Sequence, residues 1–182
     1  MMATTIARTA PLSLLAVAVL LFAMTSARVG DAPARQVVAD QKPAPAAWQT
    51  ALQTMDRALV AGDISAAEIA WHHAYGLAIH SRQWNALLAA GEAALRIGEH
   101  VVVRQPYRAR AREAWLSALL RAREQLALDG VLAVAEAFGS LGDTTVVVQA
   151  LHIADALAAH DASGDAQRRV VVVRTRLLSD PA

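Results

Sequence analysis

An all-α domain is the fold class this sequence predicts, and two observations carry it. Hydrophobic residues make up 55% of the chain but aromatics only 4%, so the apolar content is mostly Ala, Leu and Val, a composition that favours closely packed helices. From Trp48 almost to the end, apolar residues also recur three and four positions apart, the period of an amphipathic helix. At 182 residues there is room for one domain once a targeting segment is set aside. The chain has no cysteine, which excludes disulfides, thiolate metal sites, a cysteine nucleophile and a lipid-modified N-terminal cysteine.

Residues 1–27 have the form of a signal peptide or membrane anchor. MMATTIARTA carries Arg8 and no acid, PLSLLAVAVLLFAM is an uncharged apolar run, and TSA ends in small residues suited to cleavage after Ala27. The competing reading is retention as a transmembrane helix, because Ala10 to Ala27 is eighteen uncharged residues, at the lower end of what spans a bilayer. No polar face appears between Pro11 and Met24, as a helix packed on a domain would show. Residues 28–45, with Pro33, Pro43 and Pro45 among small and charged side chains, read as an extended tether. The domain of residues 46–182 is therefore expected outside the cytoplasm, either periplasmic or secreted, or anchored in the cytoplasmic membrane by residues 10–27.

Within the domain each helix follows from its stripe and its punctuation. Trp48, Leu52, Met55 and Leu59 fall on one face, with Gln49, Gln53, Asp56 and Arg57 opposite, and the helix ends before Gly62. Asp63 or Ser65 caps a second helix from Ala66 to His80, and Ser65-Ala-Ala-Glu68 fits a capping box. A third runs from Gln83 to Ile97 with Trp84, Leu87, Leu88, Gly91 and Leu95 inward. Pro106 suits the first position of a long fourth helix reaching Leu128, whose buried side is marked by Trp115, Leu119, Ala122 and Leu126. Two more, Val131 to Ser140 and Thr144 to His160, are separated by Leu141-Gly142-Asp143. The tail is open between two readings. Its valine block favours a strand, while Val170, Val173, Leu177 and Leu178 make a helical stripe, and a sheet needs partners that this chain lacks.

The chemistry-bearing residues form no recognisable constellation. His72, His73 and His80 lie inside AWHHAYGLAIH, yet no pair has the spacing of three or four that lets two side chains on a helix share a metal. His152 and His160 are likewise eight apart. The serines lack an elbow motif and no Gly-rich phosphate loop occurs. No metal or other cofactor is therefore expected. Removing Arg8 from the 17 basic residues leaves 16 against 16 acids over residues 28–182, a balance that disfavours a global nucleic-acid or anionic-lipid binder. Arg104, Arg108 and Arg112, with Arg168, Arg169, Arg174 and Arg176, make two basic groups. The interleaved Glu113 and Glu124 suit a solvated face better than a lipid-binding stripe.

A repeat register ties the helices together. Five, nine and twelve residues after Gly62 stand Ala67, Trp71 and Ala74, and the same steps after Gly142 reach Val147, Leu151 and Ala154. A small residue, a bulky one and an alanine in that order let one helix nestle against its partner. The pattern resembles the second helix of a tetratricopeptide repeat, in which helix pairs recur at about 34 residues. Gly98-Glu99 supplies a further turn, 36 residues after Gly62 and 44 before Gly142. Seven residues before the three turns stand Met55, Gly91 and Ala135, where the family usually keeps something small, and Met55 fits that poorly. After Gly98 the register fails, because Val103, Tyr107 and Arg110 occupy the three places; an insertion is implied. The proline that usually closes each repeat is missing too. The resemblance covers about residues 46–162 as three degenerate pairs, with a capping helix after Gly164.

The resemblance implies a short solenoid of stacked antiparallel helix pairs that presents a concave face to a protein or peptide, without catalysis. An exported helical enzyme or small-ligand binder is the alternative class. Six residues before the three turns stand Asp56, Glu92 and Glu136. In a stacked array these fall at equivalent places on successive first helices, making an acidic ladder flanked by Gln49, Asn85 and the loop after Phe138. Such a ladder favours a partner segment carrying Lys or Arg. The plainer alternative is that each amphipathic helix places an acid on its wet face.

Overall fold

The computed structural model describes residues 46–178. The predicted signal or anchor segment, the tether and residues 179–182 lie outside the described residues. Those described form seven helices and no strand: α1 (Ala47–Val60), α2 (Ile64–Ser81), α3 (Trp84–Glu99), α4 (Gln105–Glu124), α5 (Leu128–Ser140), α6 (Thr144–Ala158) and α7 (Asp165–Leu178). None of these helices is long and apolar enough to cross a membrane.

Short connections make neighbours antiparallel, and the order of packing follows the order of the chain. α1 packs on α2, α3 on α4 and α5 on α6; α2 also packs on α3, and α4 on α5. The odd-numbered helices form a second set of contacts, α1 with α3, α3 with α5 and α5 with α7. One core runs through the array, built from many alanines and few large side chains. Trp115, Phe138, Met55 and Ile97 are its largest fully buried members.

Caps and turns set the boundaries. The Ala46 amide donates to Gln49 Oε1 at 2.9 Å to start α1. Asp63 caps α2 by accepting from the Ala66 amide at 2.9 Å, and Asp143 does the same for α6 through Val146. The capping box expected at Ser65 does not form. Ser65 lies inside α2, and its intended partner Glu68 is held instead by Tyr107 and Arg110 of α4. Gly62 and Gly142 take φ values of 75° and 73°, which only glycine adopts without steric cost.

Three expectations need correction. α4 stops at Glu124, four residues short of Leu128. The Gln125 side-chain amide donates to the Arg82 carbonyl at 2.7 Å, and Leu126 turns to φ 54° and is 74% exposed instead of buried. Gly98 does not form a turn like Gly62; it lies within α3, which ends at Glu99 with His100 as its cap. Met55 is fully buried, as its place on the apolar stripe of α1 predicts, although it is large for a small-residue position. The ambiguous tail is the helix α7, with Val170 and Val173 buried where it packs on α5 and α6.

The register lost after Gly98 returns eight residues later. Ala111, Trp115 and Ala118 carry the same spacing as Ala67, Trp71 and Ala74, and all six are buried. The shift has three parts: Gly98 lies inside α3 rather than in a turn, the linker His100–Arg104 is longer than the turn Ala61–Asp63, and Ala111 stands about one turn deeper in α4 than Ala67 does in α2. Ala74, Ala118 and Ala154 are each 0% exposed. Leucine at any of them should therefore overpack the core and lower unfolding free energy by about 1 to 3 kcal/mol. Chemical denaturation of Ala74→Leu and Ala154→Leu checks this, and unchanged midpoints in both would remove the packing argument.

Candidate interaction surface

The first helices of the pairs, together with α7, carry a surface whose positions repeat. Steps of 36, 44 and 36 residues relate Asp56, Glu92, Glu136 and Val172, and the same steps relate Val60, Arg96, Ser140 and Arg176. Gln49, Asn85 and Asp129 form another such row. Asp129 was missed in the sequence, although the steps that place Gln49 and Asn85 reach it.

Two of the three ladder acids are engaged by the next helix of the set. Arg96 of α3 donates through Nε to Asp56 Oδ1 at 3.1 Å and through Nη2 to Oδ2 at 3.4 Å. Arg176 of α7 donates to Glu136 Oε1 at 2.7 Å, and Arg169 of α7 pairs with Asp129. In each case the arginine stands four register places after its acid, on the following helix. For Glu92 of α3 the corresponding place on α5 is Ser140, whose hydroxyl donates to the Ala137 carbonyl at 2.7 Å. Glu92 is exposed and has no ion-pair partner among the described residues. Asn85 is also exposed on α3, one and a half to two turns before Glu92, whereas the Gln49 side chain is used in the α1 cap. The segment after Phe138 is the end of α5 rather than a loop, and the chain leaves the helix at Leu141.

The basic groups are chiefly ties between helices. Arg112 pairs with Asp143 at the start of α6, and Arg108 donates to the Leu141 carbonyl at 3.2 Å. Arg174 pairs with Asp155, and Arg168 with Asp165. Their charge is thus largely matched within the fold, by Asp143, Asp165, Asp129, Asp155 and Glu136 rather than by the interleaved Glu113 and Glu124, so the two groups are not simply solvated faces. A shallow groove of about 480 Å³ between α5 and α7 is bordered by Asp129, Leu132, Glu136, Arg169 and Val172.

A second polar group joins α2 to α4. The Tyr107 hydroxyl donates to Glu68 Oε1 at 2.7 Å and Arg110 Nη1 donates to the same oxygen at 3.0 Å. Arg110 also lies over the rings of Tyr107 and Trp71, at 5.0 and 5.5 Å from their centres. The Tyr107 bond first, then the Arg110 bond, holds the Glu68 carboxyl below its ordinary value of 4.5. The same Tyr107–Glu68 bond, with burial, raises the Tyr107 hydroxyl above 10.0. The lowered Glu68 value contributes stability above about pH 4.5 that is lost as pH falls through the folded value, and the raised Tyr107 value contributes stability below about pH 10 that is lost as pH rises. Tyr107→Phe should cost about 1 kcal/mol at neutral pH, discounted for the partial exposure of Glu68. It should also flatten the alkaline fall in a denaturation series across pH; an unchanged alkaline limb would contradict the assignment.

The histidines are dispersed along these helices. His72 sits edge-on to Trp71 with ring centres 5.0 Å apart, His73 borders a groove between α1 and α2, and His80 Nδ1 donates to the Gly76 carbonyl at 2.7 Å. Among the described residues no three His, Asp or Glu side chains come together as a metal-binding group. Comparison of the chain with protein-family models, with curated proteins and with solved structures gives no match.

Proposed function

We propose that this chain is a non-enzymatic protein–protein interaction module, exported or held at the membrane by its N-terminal segment, whose helix pairs stack as a short tetratricopeptide-like solenoid. The odd-numbered helices are its recognition face, and the partner is a protein or peptide segment bearing Lys or Arg. One observation carries this reading. Glu92 lies at the middle of a row in which Asp56 and Glu136 are matched by Arg96 and Arg176, and Ser140 stands where the third arginine belongs. A cation supplied by a partner completes the series. Asn85 offers an amide on the same helix, while Asp56, Glu136 and Gln49 shape the flanks through bonds they already make.

The test uses a peptide array graded in Lys and Arg content. Binding to the domain should rise with basic content and fall as salt rises. Glu92→Gln should weaken it about two- to fivefold, the scale of an exposed ion pair. Asp56→Asn should have a smaller effect, because Asp56 is already paired. Binding indifferent to salt and to Glu92→Gln would overturn the assignment of this face. For location, a reporter active only after export, fused after Ala182, should give signal. A silent reporter on an expressed fusion would contradict the extracytoplasmic placement.

A further inference from the structure

The outer side of the first helix pair carries a groove of about 800 Å³ between α1 and α2, lined by Thr50, Ala51, Thr54, Ile69, Ala70 and Leu77 among others. No Asp, Glu, Lys or Arg lines it. The Thr54 hydroxyl is satisfied internally by donating to the Thr50 carbonyl at 3.1 Å. Ile69, at the centre of the α2 wall, is 72% exposed.

Repeat register shows what such a face does elsewhere in the chain. Steps of 36 and 44 residues carry Thr50 to Ala86 and Gly130, Ala51 to Leu87 and Val131, and Thr54 to Ala90 and Val134. All six of these later residues are buried. On α2, a step of 44 and then 36 carries Ala70 to Ala114 and Ala150, both 0% exposed. At Ala90 and Gly130 the covering groups come from the preceding helix pair. Trp71 of α2 donates its indole N–H to the Ala90 carbonyl at 2.8 Å. A side-chain carbon placed on Gly130 would lie 2.7 Å from the Trp84 ring and 2.8 Å from Ala122 of α4. The α1–α2 groove is therefore the same stacking face at the one pair that has no described pair before it.

We propose that this groove is a docking site for an amphipathic α-helix of a partner protein, laid on α1 and α2 as α2 is laid on α3. The contacting side of that helix is uncharged and carries a bulky apolar residue between small ones, as Trp71 stands between Ala67 and Ala74 in α2. The interface is continuous with the stacking interface already built inside the chain, and its chemistry follows from that continuity: small lining residues for close approach, at places that are buried in the later pairs. The inference rests on the stacking geometry and is independent of the recognition face proposed for the odd-numbered helices.

The probe is a fluorescent peptide with the sequence Ile64–Ser81, the helix that covers the equivalent face of α3, titrated with the full chain and followed by anisotropy. Saturable binding is expected, at least tenfold weaker to Thr54→Arg, whose register equivalents Ala90 and Val134 are buried, and to Ala70→Arg. It should be unchanged by Val60→Glu, a charge placed on an exposed residue outside the groove. A peptide carrying proline at the position of Ala70 should not bind, because the helix is what is recognised. Since Thr54 is exposed, its replacement leaves the core intact; a denaturation midpoint equal to the parent chain confirms that each variant is folded. Absence of saturable binding, or equal binding to Thr54→Arg, overturns the proposal. Concentration-dependent association of the chain in sedimentation, lost in Thr54→Arg, also overturns it, by giving the groove to a second copy.

Discussion

Gly91→Ala is expected to destabilise the domain by about 3 kcal/mol, at the upper end of the range for overpacking. The direction of this result is informative, because glycine to alanine inside a helix ordinarily stabilises by about 1 kcal/mol. Gly91 sits in the middle of α3 against the indole of Trp115. A side-chain carbon there would lie 2.9 Å from Trp115 Cε2 and closer still to Cδ1 and Nε1. The indole has little room to retreat. Its N–H donates to the Leu88 carbonyl at 3.0 Å, its ring meets Phe138 edge-on at 5.7 Å between centres, and the residue is 1% exposed. Urea denaturation measures the effect. Pairing Gly91→Ala with Trp115→Leu should show a coupling of about 0.5 to 3 kcal/mol, since shrinking the indole relieves the clash. Additive losses, or a stabilised Gly91→Ala, would show that α3 and α4 do not approach as described.

Trp71→Ala should lower unfolding free energy by about 3 to 5 kcal/mol, the scale of removing a large aromatic from a core. Trp71 is 3% exposed, stacks on Tyr75 with ring centres 5.3 Å apart, and bonds to the α3 backbone at Ala90. It thus joins α2 to the next pair, by its bond to α3 and by Arg110 of α4 lying over its ring. Trp71→Phe keeps most of the apolar volume and loses the indole donor, so its loss should be smaller, by about 2 kcal/mol or more. Equal losses in the two variants would locate the contribution in the donor rather than in packing. Stability changes below about 1 kcal/mol in both would leave the α2–α3 contact without its anchor.

These two residues also show how much of the molecule could be read before any coordinates. Trp71 was found by its distance from Gly62, together with Ala67 and Ala74, and all three are buried. Gly91 was legible as an inward residue at a small-residue place, but the neighbour that demands glycine was not. Counting from Gly98 points to Tyr107 where Trp115 belongs, because Gly98 lies inside α3 instead of in a turn, and a longer linker and an extra first turn of α4 follow it. Counting backwards from the alanine–tryptophan–alanine spacing in α4 itself would have found Trp115, since that spacing reports the packing of the helix and is untouched by linker length.

The candidate surface divides in the same way. The ladder acids and their flanking amides stand at regular places in the sequence, and a regular step also reaches Asp129. What the sequence did not disclose is that Arg96, Arg169 and Arg176 answer Asp56, Asp129 and Glu136 from the next helix, leaving Glu92 opposite a serine. Pairing across helices depends on which faces meet and on the offset between them, and each acid and its arginine are 40 residues apart.

By itself the sequence determined the helical class, the count and approximate limits of the first six helices, and the small–bulky–small faces on which they pack. It could do so because helix period, caps and breakers act within a few residues. The tertiary structure alone decided that the tail is a helix, that α4 stops at Glu124, which acid has no arginine among the described residues, and which face of the first pair those residues leave uncovered. Each of these depends on groups distant in the chain: α7 is held by valines buried against α5 and α6, the end of α4 by a bond to the Arg82 carbonyl, and a face is open or closed only according to whether another helix pair lies beside it.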